Sequence, residues 1–178
     1  MLTCLIKITH FLHSLRRQLL SVNCLLATFF AVLSVLMVSS PAHAATDNYV
    51  RRYLQAAEPI SLDVDGQGQT MEFSGEDLSA GKALFEQHCL NCHVGGATLP
   101  DPTVSLSLNT LAGATPPRNN INGLVAFLRE PMTYDGSEAT FWCRQVPESW
   151  MPQDQIEKLA AFVLRAAQKA PGWGTADF

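Results

Sequence analysis

No histidine follows His93, and a single cysteine, Cys143, follows Cys92. The chain therefore lacks the second pair of Cys or His ligands that would close a structural zinc site. Basic charge is also scarce, with 12 Lys and Arg against 16 Asp and Glu. Lys7, Arg16 and Arg17 stand near the start, so everything beyond them is more acidic still. A surface of that sign repels phosphate, and no nucleic acid is expected as a partner. No βαβ pattern is visible, which removes a thioredoxin-like reading of any Cys pair. No internal repeat, low-complexity tract or acid–base constellation stands out, so catalysis is not expected.

Long apolar runs are confined to the N-terminus. Leu25 to Val38 is uncharged and follows the basic residues Lys7, Arg16 and Arg17. It is nearer to the apolar region of a signal peptide than to a membrane span of about 20 residues. Pro41-Ala42-His43-Ala44 ends in A-x-A, so residues 1–44 are expected to be a cleaved signal peptide, with the mature chain starting at Ala45. Cys4, Cys24, His10, His13 and His43 leave with it. Residues 45–178 make one domain. Its cysteines are Cys89, Cys92 and Cys143.

Cys89-Leu90-Asn91-Cys92-His93 reads C-x-x-C-H, the attachment motif of a c-type haem. Two thiols one helical turn apart can add across the two vinyl groups of the porphyrin. The next residue, His93, then presents an imidazole nitrogen to the iron. One covalently bound haem c is expected, held by Cys89 and Cys92. Such attachment takes place outside the cytoplasm, in keeping with an export signal.

Around this motif the pattern is mostly helical. Ala45 to Glu58 has helical periodicity with poor caps. Ile60 to Val64 and Thr70 to Phe73, joined by Asp65-Gly66-Gln67-Gly68, read as a small β-hairpin. Ser74-Gly75-Glu76-Asp77 opens a helix that runs into the haem motif, and Val94-Gly95-Gly96 breaks it. Residues 97–117 read as a long loop with Pro100, Pro102, Pro116 and Pro117, able to lay Leu99, Leu106, Leu108 and Leu111 on a porphyrin edge. Asn119 or Asn120 caps a helix through Arg129, with Ile121, Leu124, Val125 and Leu128 on one side. Ser137 to Ser149 is irregular. A last helix runs from about Pro152 to Lys169 and buries Ile156, Leu159, Ala160, Val163 and Leu164. The fold class is mostly α, a monohaem cytochrome c fold with a small N-terminal β-hairpin.

A closer resemblance is carried by Gly81-Lys82-Ala83-Leu84-Phe85, by Cys89 through Gly96, by Ala114-Thr115-Pro116-Pro117-Arg118-Asn119-Asn120-Ile121-Asn122-Gly123-Leu124 and by Thr133-Tyr134-Asp135-Gly136. These stretches resemble the cytochrome c-550 family, the extrinsic low-potential cytochromes of photosystem II. The resemblance implies a thylakoid-lumen location, peripheral to the membrane. It implies as partner the lumenal surface of photosystem II or another redox protein, and one-electron transfer as the activity. It also implies a second iron ligand, a His downstream of the Tyr-Asp-Gly turn. This chain has none there, and both the segment before its last helix and its tail (Thr175-Ala176-Asp177-Phe178) are short for the family. It resembles a divergent, c-550-like member.

The sixth ligand has several candidates. His88 adjoins Cys89 and cannot reach the opposite face. Met71 lies early, in the hairpin, and Met132 reads as core. Met151-Pro152 resembles the ligand signature of ordinary cytochromes c, but Pro152 also reads as the first turn of the last helix, which makes Met151 a core residue. Cys143 falls within about one residue of the family's distal His by alignment, between Phe141, Trp142 and Arg144, where the aromatics would dry the site. His93 and Cys143 are the expected iron ligands, with Met151 or an open position as the alternatives. A thiolate opposite His93 implies a low potential. A haem-thiolate sensor and a structural subunit of photosystem II are the alternative functions.

Overall fold

A computed structural model describes residues 26, 28–30, 45–99 and 104–175. The chain divides into two units, Met1–His43 and Ala44–Phe178. In the first, Leu26 and residues 28–30 are helical. The rest of the expected signal peptide, its cleavage site, Pro100, Pro102 and the last three residues lie outside the described residues. Among the described residues no helix is long and apolar enough to cross a membrane.

The second unit runs α1 (Asn48–Arg52), β1 (Ile60–Asp63), β2 (Thr70–Phe73), α2 (Gly75–His88), a 3-10 turn at Val94–Gly96, α3 (Leu108–Gly113), α4 (Ile121–Arg129) and α5 (Gln153–Lys169). It is mostly helical with one antiparallel hairpin, as expected. The strands pair Ile60 with Phe73 and Leu62 with Met71. Leu62 and Phe73 are buried, while Met71 faces out. Asp63 makes the turn by accepting hydrogen bonds from the N–H groups of Asp65 (3.1 Å) and Gly66 (2.6 Å).

Two elements differ from expectation. α1 is shorter than residues 45–58 and is not poorly capped: the Asp47 carboxylate accepts from the N–H of Tyr49 at 2.7 Å. It stops early because Gln55 takes φ +53°, which no helix continues. The 97–117 segment is not all loop, since α3 forms there, capped by the Ser107 side chain on the N–H of Thr110. The remaining boundaries hold. Asn120 caps α4 through the N–H of Gly123 at 2.8 Å, and α5 starts beside Pro152.

α2 begins with a capping box. Ser74 accepts from the N–H of Asp77 at 3.1 Å, and the Asp77 carboxylate accepts from the N–H of Ser74 at 3.0 Å. Lys158 of α5 adds an ion pair to Asp77 at 3.2 Å. Burial pushes the Asp77 carboxyl up, but the Ser74 and Lys158 contacts outweigh it and hold it below the usual value. A carboxyl depressed in the fold contributes stability above its unfolded value, near ~3.9, and loses it as pH falls through the folded one. Asp77→Asn is expected to lower stability at neutral pH and to flatten its fall in acid. Urea unfolding at a series of pH values reads both.

α2 and α5 cross in contact, and glycine makes the crossing possible. A Cβ on Gly81 would stand 2.0 Å from the backbone oxygen of Lys158. One turn later on each helix, Phe85 meets Phe162 with ring centroids 5.4 Å apart. Trp173 closes the aromatic group at 5.5 Å from Phe85 and 5.8 Å from Phe162. Beneath lie Leu78, Ile156, Leu159, Ala160 and Leu164, each at most 1% exposed. The short tail thus packs back on the domain. Trp173 donates through Nε1 to the Leu106 carbonyl at 3.0 Å, and the N–H of Gly174 donates to Gly95 O at 2.8 Å.

Gly96 lies flat beneath that indole. Its φ is +81°, and a Cβ would come within 2.6 Å of the Trp173 ring. Gly96→Ala is expected to combine about 1–2 kcal/mol of left-handed strain with displacement of the tail. A melting temperature lowered by several degrees, with Trp fluorescence moving toward that of exposed indole, is the expected result.

Candidate haem site

The site starts where α2 runs out. The N–H of Cys89 closes the last turn on Phe85 O at 2.8 Å. The N–H groups of Cys92 (3.1 Å) and His93 (3.0 Å) then both donate to Cys89 O, so one tight turn gathers both thiols and the imidazole. Neither thiol is in a disulfide. Cys92 is exposed and Cys89 half-buried. Burial first, then the nearby thiols of Cys143 and Cys92, push the Cys89 thiol up to about 11.

His93 is half-buried, and that burial pushes its ring below the ordinary imidazole value despite a hydrogen bond with the Ala97 backbone. The ring is neutral at pH 7, the form that ligates metals. Nδ1 lies 3.2 Å from Thr98 Oγ1. The chain then turns through Gly95 and Gly96, both at positive φ, and the N–H of Leu106 donates to Gly96 O at 2.7 Å.

Cys143 comes from the irregular segment between α4 and α5, more than forty residues away in sequence, yet its thiol lies within electrostatic reach of both Cys89 and Cys92. Burial is the largest influence on it and pushes it up, and Arg118 opposes that push. Arg118 is 6% exposed. It donates to the carbonyls of Met132 (3.2 Å) and Thr133 (2.7 Å) and stacks at 3.8 Å on Phe127. A buried cation thus acts on Cys143, which among the described residues is the cysteine outside the C-x-x-C-H motif.

The other candidates lie elsewhere. Met151 is 1% exposed within the core, its carbonyl taken by Arg129 at 2.9 Å. His88 is exposed and meets Trp150 edge-on at 5.1 Å. Phe141 (99% exposed) and Trp142 (87%) do not dry the surroundings of Cys143. They sit in a bend where the N–H of Trp142 is held by Thr140 Oγ1, and they point outward while Cys143 turns in. Of the four loop leucines, Leu111 is buried and Leu106 packs on the core, whereas Leu99 and Leu108 are exposed.

The donors fit an iron porphyrin attached through the thiols. Two cysteines and a neutral His come from one turn, and a third sulfur comes from a separate loop. Apolar surface is concentrated here too: Leu90 and Val94 are exposed beside the motif, and Leu99 is tied through its N–H to Cys92 O at 2.8 Å. Sequence reasoning missed Thr98 and the return of Trp173. A lone loop Thr carries no signal, and the Trp173–Leu106 bond spans 67 residues.

A helical unit with one hairpin, in which α2 and α5 pack together beside a C-x-x-C-H turn, defines the class: a cytochrome c. Residues 53–178 match the cytochrome c-550 domain, and the chain belongs to that family. A cytochrome c-550-like protein of Trichodesmium erythraeum (strain IMS101) is 54% identical over 155 residues, 87% of this chain and 94% of that one. The photosystem II extrinsic protein V of Gloeobacter violaceus is 54% identical over 135 residues, 76% of this chain and 73% of that one. The crystal structure of the PsbV2 cytochrome from Thermosynechococcus elongatus superposes with a TM-score of 0.73 at 56% identity, over 74% of this chain and all of that one.

Proposed function

We propose that this chain is a low-potential, one-electron carrier with one covalently bound haem c, exported with loss of residues 1–44 and working in the thylakoid lumen. Cys89 and Cys92 would hold the haem through their sulfurs, and His93 and Cys143 would supply the donors to its iron. The observation that carries this reading is the turn in which the N–H groups of Cys92 and His93 both donate to Cys89 O, with Cys143 within electrostatic reach of Cys89 and Cys92. When bound, haem supplies a single-electron couple whose potential depends on its axial donors. Burial raises the Cys143 thiol overall and Arg118 only opposes that rise, so it is ferric iron that would stabilise the thiolate, and an anionic sulfur in turn favours ferric iron. Met151, buried in the core with its carbonyl engaged, supports packing rather than ligation for that residue.

A place on photosystem II is the second reading, supported by the Gloeobacter relative named photosystem II extrinsic protein V. The chain would then bind peripherally at the lumenal surface. Absence from washed complexes that keep their other extrinsic subunits would count against it. Carrier and sensor are separated by carbon monoxide: a carrier with both axial positions filled is expected to be inert, whereas rapid binding would indicate a ligand sensor. Attachment is checked on denaturing gels, where haem stain should travel with a chain starting near Ala45. Haem extracted by acid-acetone would contradict covalent attachment.

A further inference from the structure

We propose that Thr98 is a positioning residue that holds His93 in the one tautomer able to face iron and lowers the midpoint potential by drawing on its Nδ1 proton. This rests on His93 being the axial ligand. The hydroxyl can give only one proton, and Thr98 Oγ1 gives it to the carbonyl of Val104. At 3.2 Å from His93 Nδ1, the same oxygen is left only its lone pairs to offer that ring. Nδ1 is therefore the protonated nitrogen, and Nε2 is bare and free to ligate. The directionality is imposed from outside the ring. Had the hydroxyl been free to rotate, it would have suited either tautomer.

An acceptor on Nδ1–H raises the basicity of Nε2 by giving the ring some imidazolate character. A more basic imidazole donates more strongly to ferric iron and biases the couple toward it. The loop that carries Thr98 is also tied through its backbone, since Leu99 N–H is held by Cys92 O and Leu106 N–H by Gly96 O. The ring is thus oriented by a braced hydroxyl, with the Ala97 backbone as a second contact.

The test is made on the haem-loaded protein with Thr98→Val, which keeps shape and removes the acceptor, and with Thr98→Ser, which keeps it. Poised at the wild-type midpoint, Thr98→Val is expected to shift the ferrous-to-ferric ratio about tenfold toward ferrous, comparable to the loss of other outer partners of metal ligands. A tenfold shift is 59 mV for one electron. Thr98→Ser should return the ratio to that of wild type. The ferric absorption spectrum of all three should remain low-spin. If Thr98→Val keeps the wild-type ratio, the Ala97 contact suffices and the proposal is overturned. If Thr98→Ser shifts as far as Thr98→Val, the effect is one of loop packing and the proposal is equally overturned. The ligand assignment is tested separately: His93→Ala retaining the wild-type low-spin spectrum would remove the basis for both.

Discussion

Cys143→Ala is expected to abolish the low-spin ferric signature of the loaded protein and to raise its midpoint potential by roughly a hundred millivolts or more. Axial donors span about 0.8 V in haem proteins, and exchanging an anionic sulfur for water or a thioether moves toward the positive end of that span. The fold should survive, because Cys143 is only half-buried and lies in an irregular segment outside the main core. Its side-chain bond is a weak sulfur contact to Arg144 O at 3.9 Å. Arg118 would keep its carbonyl partners at Met132 and Thr133. Cys143→His restores the ligand type of the wider family and is expected to return a low-spin spectrum if the segment reaches far enough. Paramagnetic resonance of the ferric state is the readout. The same spectrum in wild type and Cys143→Ala would sink the assignment.

Gly81→Val is expected to cost more stability than any exposed substitution. Its first added carbon would stand 2.0 Å from Lys158 O and 3.0 Å from the Phe162 Cβ. Overpacking ordinarily costs about 1–3 kcal/mol, when side chains can move aside. Here the obstacle is the backbone of α5, so the helices must part and release the Phe85–Phe162–Trp173 group. A loss of at least ~3 kcal/mol, from a total of ~5–15, is the expected outcome of urea unfolding. Gly95→Ala is the control. Gly95 has φ +57° but nothing within 4 Å of an added Cβ, so it should show strain alone, about 1–2 kcal/mol. Equal losses in the two variants would mean that the crossing tolerates a side chain.

The legible parts of the fold were those written locally. Asp65-Gly66-Gln67-Gly68 marked the hairpin turn. Ser74 with Asp77 marked the start of α2, and Asn120 that of α4. Ile156, Leu159, Ala160, Val163 and Leu164 gave the buried side of α5, and all are at most 6% exposed. α3 escaped because its six residues carry one buried side chain, Leu111, too few to form a period. The length of α1 was misjudged because its end depends on the backbone of Gln55 rather than on a residue type known for stopping helices.

The same division runs through the site. Cys89, Cys92 and His93 are readable from spacing alone, because the chemistry of attachment demands that spacing. The approach of Cys143 is a tertiary fact. Only alignment to relatives suggested it, and the orientation inferred for Phe141 and Trp142 was wrong because a loop carries no periodicity to say which side chains turn inward. Thr98 and Arg118 act through partners that folding brings to them: Val104 and His93 for one, Met132, Thr133 and Cys143 for the other.

A potentiometric titration of the loaded, mature protein tests the central claim most directly. With His93 and Cys143 as axial ligands, the midpoint should be negative against the hydrogen electrode, because a thiolate stabilises ferric iron. A clearly positive midpoint would contradict thiolate ligation and point back to the thioether of Met151.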